Sequence, residues 1–170
     1  MAERATVAQV TQIGVESTSG TAVPANKLLA SLEITGGIKA QNKKFRPQGR
    51  KYSSFVIPGR EWSEYKLGGM VTYGEVVYPL SSILKATTPS SDTTLGKKWV
   101  FAPALSAEDT VKTFTLEQGS AVRAHSAAYG IVTELGFKFT RDGVEYDGAM
   151  IAQRITDEVT MTASPTAIET

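Results

Sequence analysis

The chain has 170 residues and a mass of 18.2 kDa, enough for one ordinary domain with a buried core. Apolar residues make up 41% and charged residues 21%, which excludes a disordered tail, and no stretch approaches the roughly 20 apolar residues of a membrane-crossing helix. A net charge of +1 argues against a dedicated nucleic-acid binder, and zero cysteines with a single histidine, His125, remove disulfides, thiolate metal sites, cysteine nucleophiles and most imidazole chemistry.

Residues 1–26 read as an irregular N-terminal arm, in which Val7, Val10 and Ile13 give a weak apolar rhythm and Gly14 to Pro24 is a run of turn formers. The opening MAERATVAQVTQIG has no basic segment followed by an apolar one, so no secretory signal is expected there. From Lys27 the period becomes two. Leu28, Ala30, Leu32 and Ile34 fall on one side and Leu29, Ser31 and Glu33 on the other, a half-buried strand. Gly36-Gly37 is expected to end it, and Ile38 to Lys44 to run back as a second strand. Phe45 to Arg60 (FRPQGRKYSSFVIPGR) has two prolines, two glycines and no sustained alternation. It reads as a long, basic, exposed loop, and such loops in compact domains are often functional. Glu61 to Leu67 resumes an extended pattern, with Trp62 as its expected anchor in the core.

Thr72-Tyr73-Gly74-Glu75 has the form of a capping box, with the Thr72 hydroxyl accepting from the Glu75 amide and the Glu75 carboxylate from the Thr72 amide. Val76, Leu80, Ile83 and Leu84 then recur at helical spacing, Lys85 suits a last turn, and Pro89 forbids much continuation. The pattern predicts a helix over about 72–86, kinked at Pro79. Lys98 to Ala102 and Val111 to Gln118 read as strands. Ala121 to Tyr129 and Ile131 to Thr140 form one long extended stretch with a bulge at Gly130. Asp142-Gly143 signals a hairpin turn, Val144 to Ile155 pairs back with an irregularity at Asp147-Gly148, and Val159 to Ala163 is a last short strand. Residues 27–163 are then the domain proper and 164–170 a C-terminal tail or linker. The fold class is mainly β: an antiparallel two-sheet sandwich or partial barrel of roughly eight strands, with one flanking α-helix and a long loop.

Charge is divided along the chain. Residues 1–100 hold 13 Lys+Arg and 7 Asp+Glu, a sum of +6, whereas residues 101–170 hold 5 and 10, a sum of −5. Lys39, Lys43, Lys44, Arg46, Arg50, Lys51 and Arg60 occur with no acid between Glu33 and Glu61. Such a division is either a solvated face or half of a self-complementary contact between copies. The interleaving of Phe45, Tyr52 and Phe55 with these cations is also how single-strand binders stack bases, a reading that the near-neutral total disfavours.

No motif points to a reaction. His125 lies in a strand, no elbow surrounds any serine, and the Glu145/Asp147 and Glu61/Glu64 pairs read as solvated carboxylates with no calcium-loop spacing. Gly36-Gly37 and Gly68-Gly69 lack the Lys-Ser/Thr of a phosphate loop. No catalytic residue, metal site or cofactor is expected, and the chain is read as a non-enzyme.

The succession IGVESTSGTAVPANKLLASLEI, FRPQGRK, EWSEYKLGGMVTYGEVVYPLSSIL, FTRDGVEYDGAMIAQ and MTASPTAIE, spanning most of residues 11–168, resembles the tail tube proteins (major tail proteins) of long-tailed bacteriophages. The resemblance implies two packed β-sheets with a flanking helix, assembly into rings, and stacking of rings into a hollow tube through which the genome leaves the capsid. Hexameric rings are implied, or trimeric ones if this chain is one unit of a duplicated form, since the ending SPTAIET resembles a point where such a chain continues. About 24 strands, four from each of six copies, at about 4.8 Å spacing close a ring of roughly 115 Å circumference, wide enough for a duplex. The implied partners are copies of the chain itself, the tape measure, the tail terminator and tail-tip proteins. DNA passes through without specific binding and no membrane is involved. The implied place is the virion tail, assembled in the host cytoplasm. Within that frame Glu134 and Glu145 are expected to face the lumen, where acidic walls repel DNA. Lys43, Lys44, Arg46, Arg50 and Lys51 are expected to reach the next ring. The alternative is a monomeric decoration or fibre-associated β-domain of a virion.

Overall fold

A computed structural model describes residues 9–92 and 96–167; Val7 of the expected arm and the end of the expected tail lie outside them. In chain order, β1 (Val10–Val15), β2 (Lys27–Leu29) and β3 (Leu32–Ala40) are followed by a small hairpin of β4 (Lys43–Phe45) and β5 (Phe55–Ile57). Then come β6 (Glu61–Gly69), α1 (Val77–Ile83) and a second small hairpin of β7 (Ser90–Asp92) and β8 (Gly96–Lys98). β9 (Phe114–Gly119), β10 (Ala124–Phe139), β11 (Val144–Ala152), β12 (Thr156–Val159) and β13 (Thr166–Ala167) complete the described residues.

The hydrogen-bonded order is β13-β2-β1-β9-β10-β11-β6-β3, with β12 also on β10. All these pairings are antiparallel except β13 on β2. β10 is long enough, at 16 residues, to serve two sheets. Its first half pairs with β9 and β12, and its second half with β11. The crossing point is the predicted bulge. Register with β9 slips between Ala127 and Gly130, and Tyr129 turns left-handed at φ 56°. A Cβ at Gly130 would stand 3.0 Å from the Phe114 carbonyl oxygen, so the close strand approach there suits glycine.

The core lies between the two sheets. Ile13, Leu29, Phe114 and Leu116 come from one sheet and Leu32, Ile34, Tyr65, Leu67 and Met150 from the other. Burying each large side chain contributes about 1.5–3 kcal/mol. Trp62 is not among them. It lies on the far face of β6 from Tyr65 and Leu67, and its indole N–H donates to Glu64 at 2.8 Å. Alternation places Ser63, Tyr65 and Leu67 inward, which puts Trp62 outward.

Six further expectations are corrected. Residues 9–26 are not irregular throughout, because β1 is a strand that sits between β2 and β9 in the interior of its sheet. The strand predicted from Lys27 is two strands: Leu29 is buried, then Leu32 and Ile34, so the parity breaks at Ala30-Ser31 where the chain passes from one sheet to the other. Gly36-Gly37 does not end β3, which pairs with β6 as far as Ala40. The loop 45–60 is partly a hairpin, with Lys43, Lys44 and Phe45 opposite Ile57, Val56 and Phe55. The predicted strand over residues 98–102 is irregular beyond Lys98, and the short strand expected over residues 159–163 falls earlier, at β12.

The helix is also shorter than predicted and differently placed. It begins at Val77 with no side-chain cap. Pro79 therefore lies in the first turn, where its missing N–H breaks no helical bond, and no kink is required. The buried residues are Val77, Pro79, Ser81 and Ser82, while Leu84 is exposed. Small Ser82 lets the helix approach β10, and its hydroxyl accepts from the Val132 amide at 2.9 Å.

Glu75 explains both the failed capping box and the break at Ala30-Ser31. Its buried carboxylate turns away from Thr72 and accepts from the amides of Ala30 (2.8 Å), Ser31 (3.0 Å) and Leu32 (2.6 Å) and from the Ser31 hydroxyl (2.7 Å). Two more carboxylates act alike on the outer side of β9. Glu16 accepts from Gly20, Thr113, Thr115 and the Tyr129 amide. Glu117 accepts from Ala25 and from both the amide and hydroxyl of Thr162. All three are buried and clamp connecting segments onto the sheets without an ion-pair partner among the described residues.

Candidate assembly surfaces

The second half of β10 forms a four-stranded sheet with β11, β6 and β3, and its outer face is exposed. Partners across an antiparallel ladder share a face. Tyr146, Met150, Tyr65, Leu67, Leu32 and Ile34 point into the core, so Glu134, Lys138, Glu145, Asp147, Lys66, Glu64, Glu33 and Lys39 point outward. Five carboxylates thus face three lysines. The sequence-expected pair, Glu134 and Glu145, does lie on one face. Lys138 lies 3.3 Å from Glu145, while Glu134 makes no ion pair among the described residues.

Both margins of this sheet carry unpaired backbone. On β3, the Leu32 amide bonds Glu75 and the Ile34 carbonyl accepts from the Gln118 side chain at 2.6 Å, so these residues point away from β6. Groups alternate along a strand, so Gly36 and Ile38 also point outward, and no hydrogen bond satisfies them among the described residues. On β10, the Val132 amide is taken by Ser82. After the extra residue Thr133, the backbone of Leu135, Phe137 and Phe139 points to the open margin. Local sequence pattern identifies long alternating strands but not which strands are the margins of the sheet. Only the register reveals that.

The β4–β5 arm projects past the Ala40 end of this sheet. Lys43, Lys44, Arg46, Arg50 and Lys51 are all exposed on it, and none makes an ion pair among the described residues. Phe45, Phe55, Val56 and Ile57 are more than half exposed on the same arm. Local contacts are few: a turn in which the Arg50 amide donates to Pro47, and the Lys51 ammonium 5.8 Å from the centre of the Tyr52 ring. At the opposite end of the sheet the β10–β11 hairpin carries Asp142 and Glu145 beside Arg141 and Lys138.

His125 belongs to neither surface. It is half-buried on β10 with Nε2 3.2 Å from Gln118 Oε1, and burial lowers its pKa while Asp157 pulls it back up. Glu61 pairs with Arg154 at 3.0 Å. Among the described residues no cluster of three or more His, Asp or Glu is arranged to hold a metal ion, and no helix is long and apolar enough to cross a membrane.

No protein-family model matches the chain, and no curated protein matches it. Solved structures do. A chain of the PVC sheath–tube complex of an extracellular contractile injection system, in its extended state, is similar with a TM-score of 0.54 and 13% identity over 94% of this chain and 93% of that one. A chain of the PVC sheath/tube terminator matches with 0.54 and 12% over 94% and 99%. A chain of the anti-feeding prophage cap, a tube-terminating cap, matches with 0.52 and 12% over 94% and 93%. The chain is a mainly β, antiparallel protein with the fold seen in these sheath–tube and tube-terminating assemblies.

Proposed function

We propose that this chain is a structural subunit that joins copies of itself into rings and stacks them into the hollow tail tube of a bacteriophage, the conduit for genome delivery. The observation that carries the reading is the four-stranded sheet with two open margins in a fold shared with tube assemblies. β10 runs antiparallel to β11, β11 to β6 and β6 to β3, so β3 of one copy and β10 of the next also meet antiparallel. Every copy then offers the same two margins in the same sense, and a ring closes without a leftover edge. The outer face of the sheet becomes the wall of the channel, with Glu134 and Glu145 toward the lumen and a surplus of carboxylates that repels passing DNA.

The cationic arm, with Lys43, Lys44, Arg46, Arg50 and Lys51, bridges to the next ring. It lies at one end of the sheet and the β10–β11 hairpin, with Asp142 and Glu145 as candidate acidic partners, at the other, the arrangement that head-to-tail stacking needs. Tail terminator, tape measure and tail-tip proteins are the partners this role requires, and the virion tail is its place. Negative-stain imaging of the purified chain at micromolar concentration tests the reading. Rings or hollow tubes are expected. A chain that stays monomeric under all conditions and binds a capsid surface would identify a decoration module instead.

A further inference from the structure

Beside the β3 margin lies an open cleft of about 1480 Å³ between the sheets. Its walls include Ile34, Thr35 and Gly36 on one side and Gln118 and His125 on the other. We infer that this cleft is a socket completed by a second copy of the chain, whose β10 pairs with β3 and places Phe137 and Phe139 across Gly36 and Ile34. The inference rests on the ring reading above and adds to it the register and the side chains.

Register follows from which backbone groups are already taken. Within one copy the pairings Leu135–Gly148, Gly148–Leu67 and Leu67–Ile34 set Leu135 level with Ile34. Untilted strands would bring the next copy's Leu135 opposite Ile34, and its Ser82-bonded Val132 near Gly36, where it cannot pair. Barrel strands tilt, however. A shear equal to the strand number gives a tilt of about 36°, so each four-stranded copy contributes an offset of about four residues. One direction of offset sets Leu135 against Ala30, whose amide is held by Glu75. The other sets the next copy's Leu135, Phe137 and Phe139 against Ile38, Gly36 and Ile34. Open backbone then meets open backbone at Ile38 and Gly36.

Side chains agree with this register. Phe139 is 78% exposed and Ile38 60%, both on the inward side of their strands at the margin. Gly36 can carry no side chain of its own, since a Cβ would stand 2.1 Å from the Glu64 carbonyl oxygen, and an aromatic ring from the neighbouring strand covers such a site. On the outer face the same register sets Glu134 of the next copy against Lys39, an opposite-charge cross-strand pair.

The chain lacks cysteine, which makes cross-linking unambiguous. Thr35 and Lys138 are both exposed, lie at opposite margins of one copy, and face each other across copies in the offset register. On mild oxidation the double variant T35C/K138C is expected to give a ladder of covalent multimers up to the closed ring. T35C/E134C, which reports the unshifted register, is expected to give none. Rings by microscopy together with a ladder from T35C/E134C, or from neither variant, would overturn the socket while leaving the ring reading intact. Absence of rings as well as ladders would sink the ring reading itself. F139D is expected to fold with unchanged circular dichroism and to assemble about 30-fold or more weakly, whereas F139L assembles. Unaltered assembly of F139D would also overturn the socket.

Discussion

The body and the arm of this molecule are built on opposite terms. In the body, Phe114 and Leu116 are each 1% exposed, and three buried carboxylates tie loops to the sheets. In the arm, three residue pairs join β4 and β5, the side chains around them face solvent, and no carboxylate interrupts the cations. A two-stranded hairpin without a third strand or a covering layer is marginal in water. The difference teaches that exposed apolar and cationic groups on the arm are not spare core. In the proposed tube they are the surface that meets another copy.

The contrast breaks most visibly at the aromatic residues. Phe114→Ala is expected to cost about 3–5 kcal/mol in denaturant unfolding, because a ring packed edge-on against Tyr78 at 6.0 Å leaves a cavity. Phe55→Ala on the arm should change unfolding by no more than about 0.5 kcal/mol and instead impair stacking. Equal costs at the two sites would erase the distinction.

Next in size is the Glu75 clamp. Glu75→Ala strands three buried or half-buried amides and is expected to cost on the order of 3 kcal/mol, with Glu75→Gln costing less because its amide oxygen still accepts. Burial alone would raise the Glu75 pKa, but the hydrogen bonds from Ala30, Ser31 and Leu32 outweigh it and hold the carboxyl below its ordinary 4.5. The folded value is the lower one, so this stabilisation is complete above pH 4.5 and is lost as pH falls through the folded value. Urea midpoints at neutral and acid pH should therefore fall further for the native chain than for Glu75→Gln. An equal fall in both would remove Glu75 from the acid limb.

Smallest for stability, yet large for assembly, is charge reversal of Lys43, Lys44, Arg46, Arg50 and Lys51. The melting temperature should stay where it is and single rings should persist, while tubes are lost. Tubes that survive with unchanged salt sensitivity would show that the arm does not stack rings.

Part of this was legible in the sequence. Alternation exposed β6, β10 and β11, and the Gly130 bulge was visible because a lone glycine in a long alternating run marks a close approach. The acidic pair Glu134 and Glu145 fell on one face because strand parity is local. What stayed hidden depends on distant partners. Glu75 has the spacing of a capping box but serves amides more than 40 residues earlier, and no local pattern reports that. β1 looked like an arm because its polar side, Gln12 and Glu16, is buried under other segments and so breaks the half-buried alternation. The arm looked like a loop because its strands are three residues long.

Amide hydrogen exchange at the two sheet margins, read in dispersed and assembling samples, tests the central claim most directly. The account predicts that Gly36, Ile38, Leu135 and Phe137 exchange freely when dispersed and become strongly protected on assembly, while Val132, already bonded to Ser82, changes little. Assembled particles in which those four amides still exchange freely would contradict completion of the sheet by neighbouring copies.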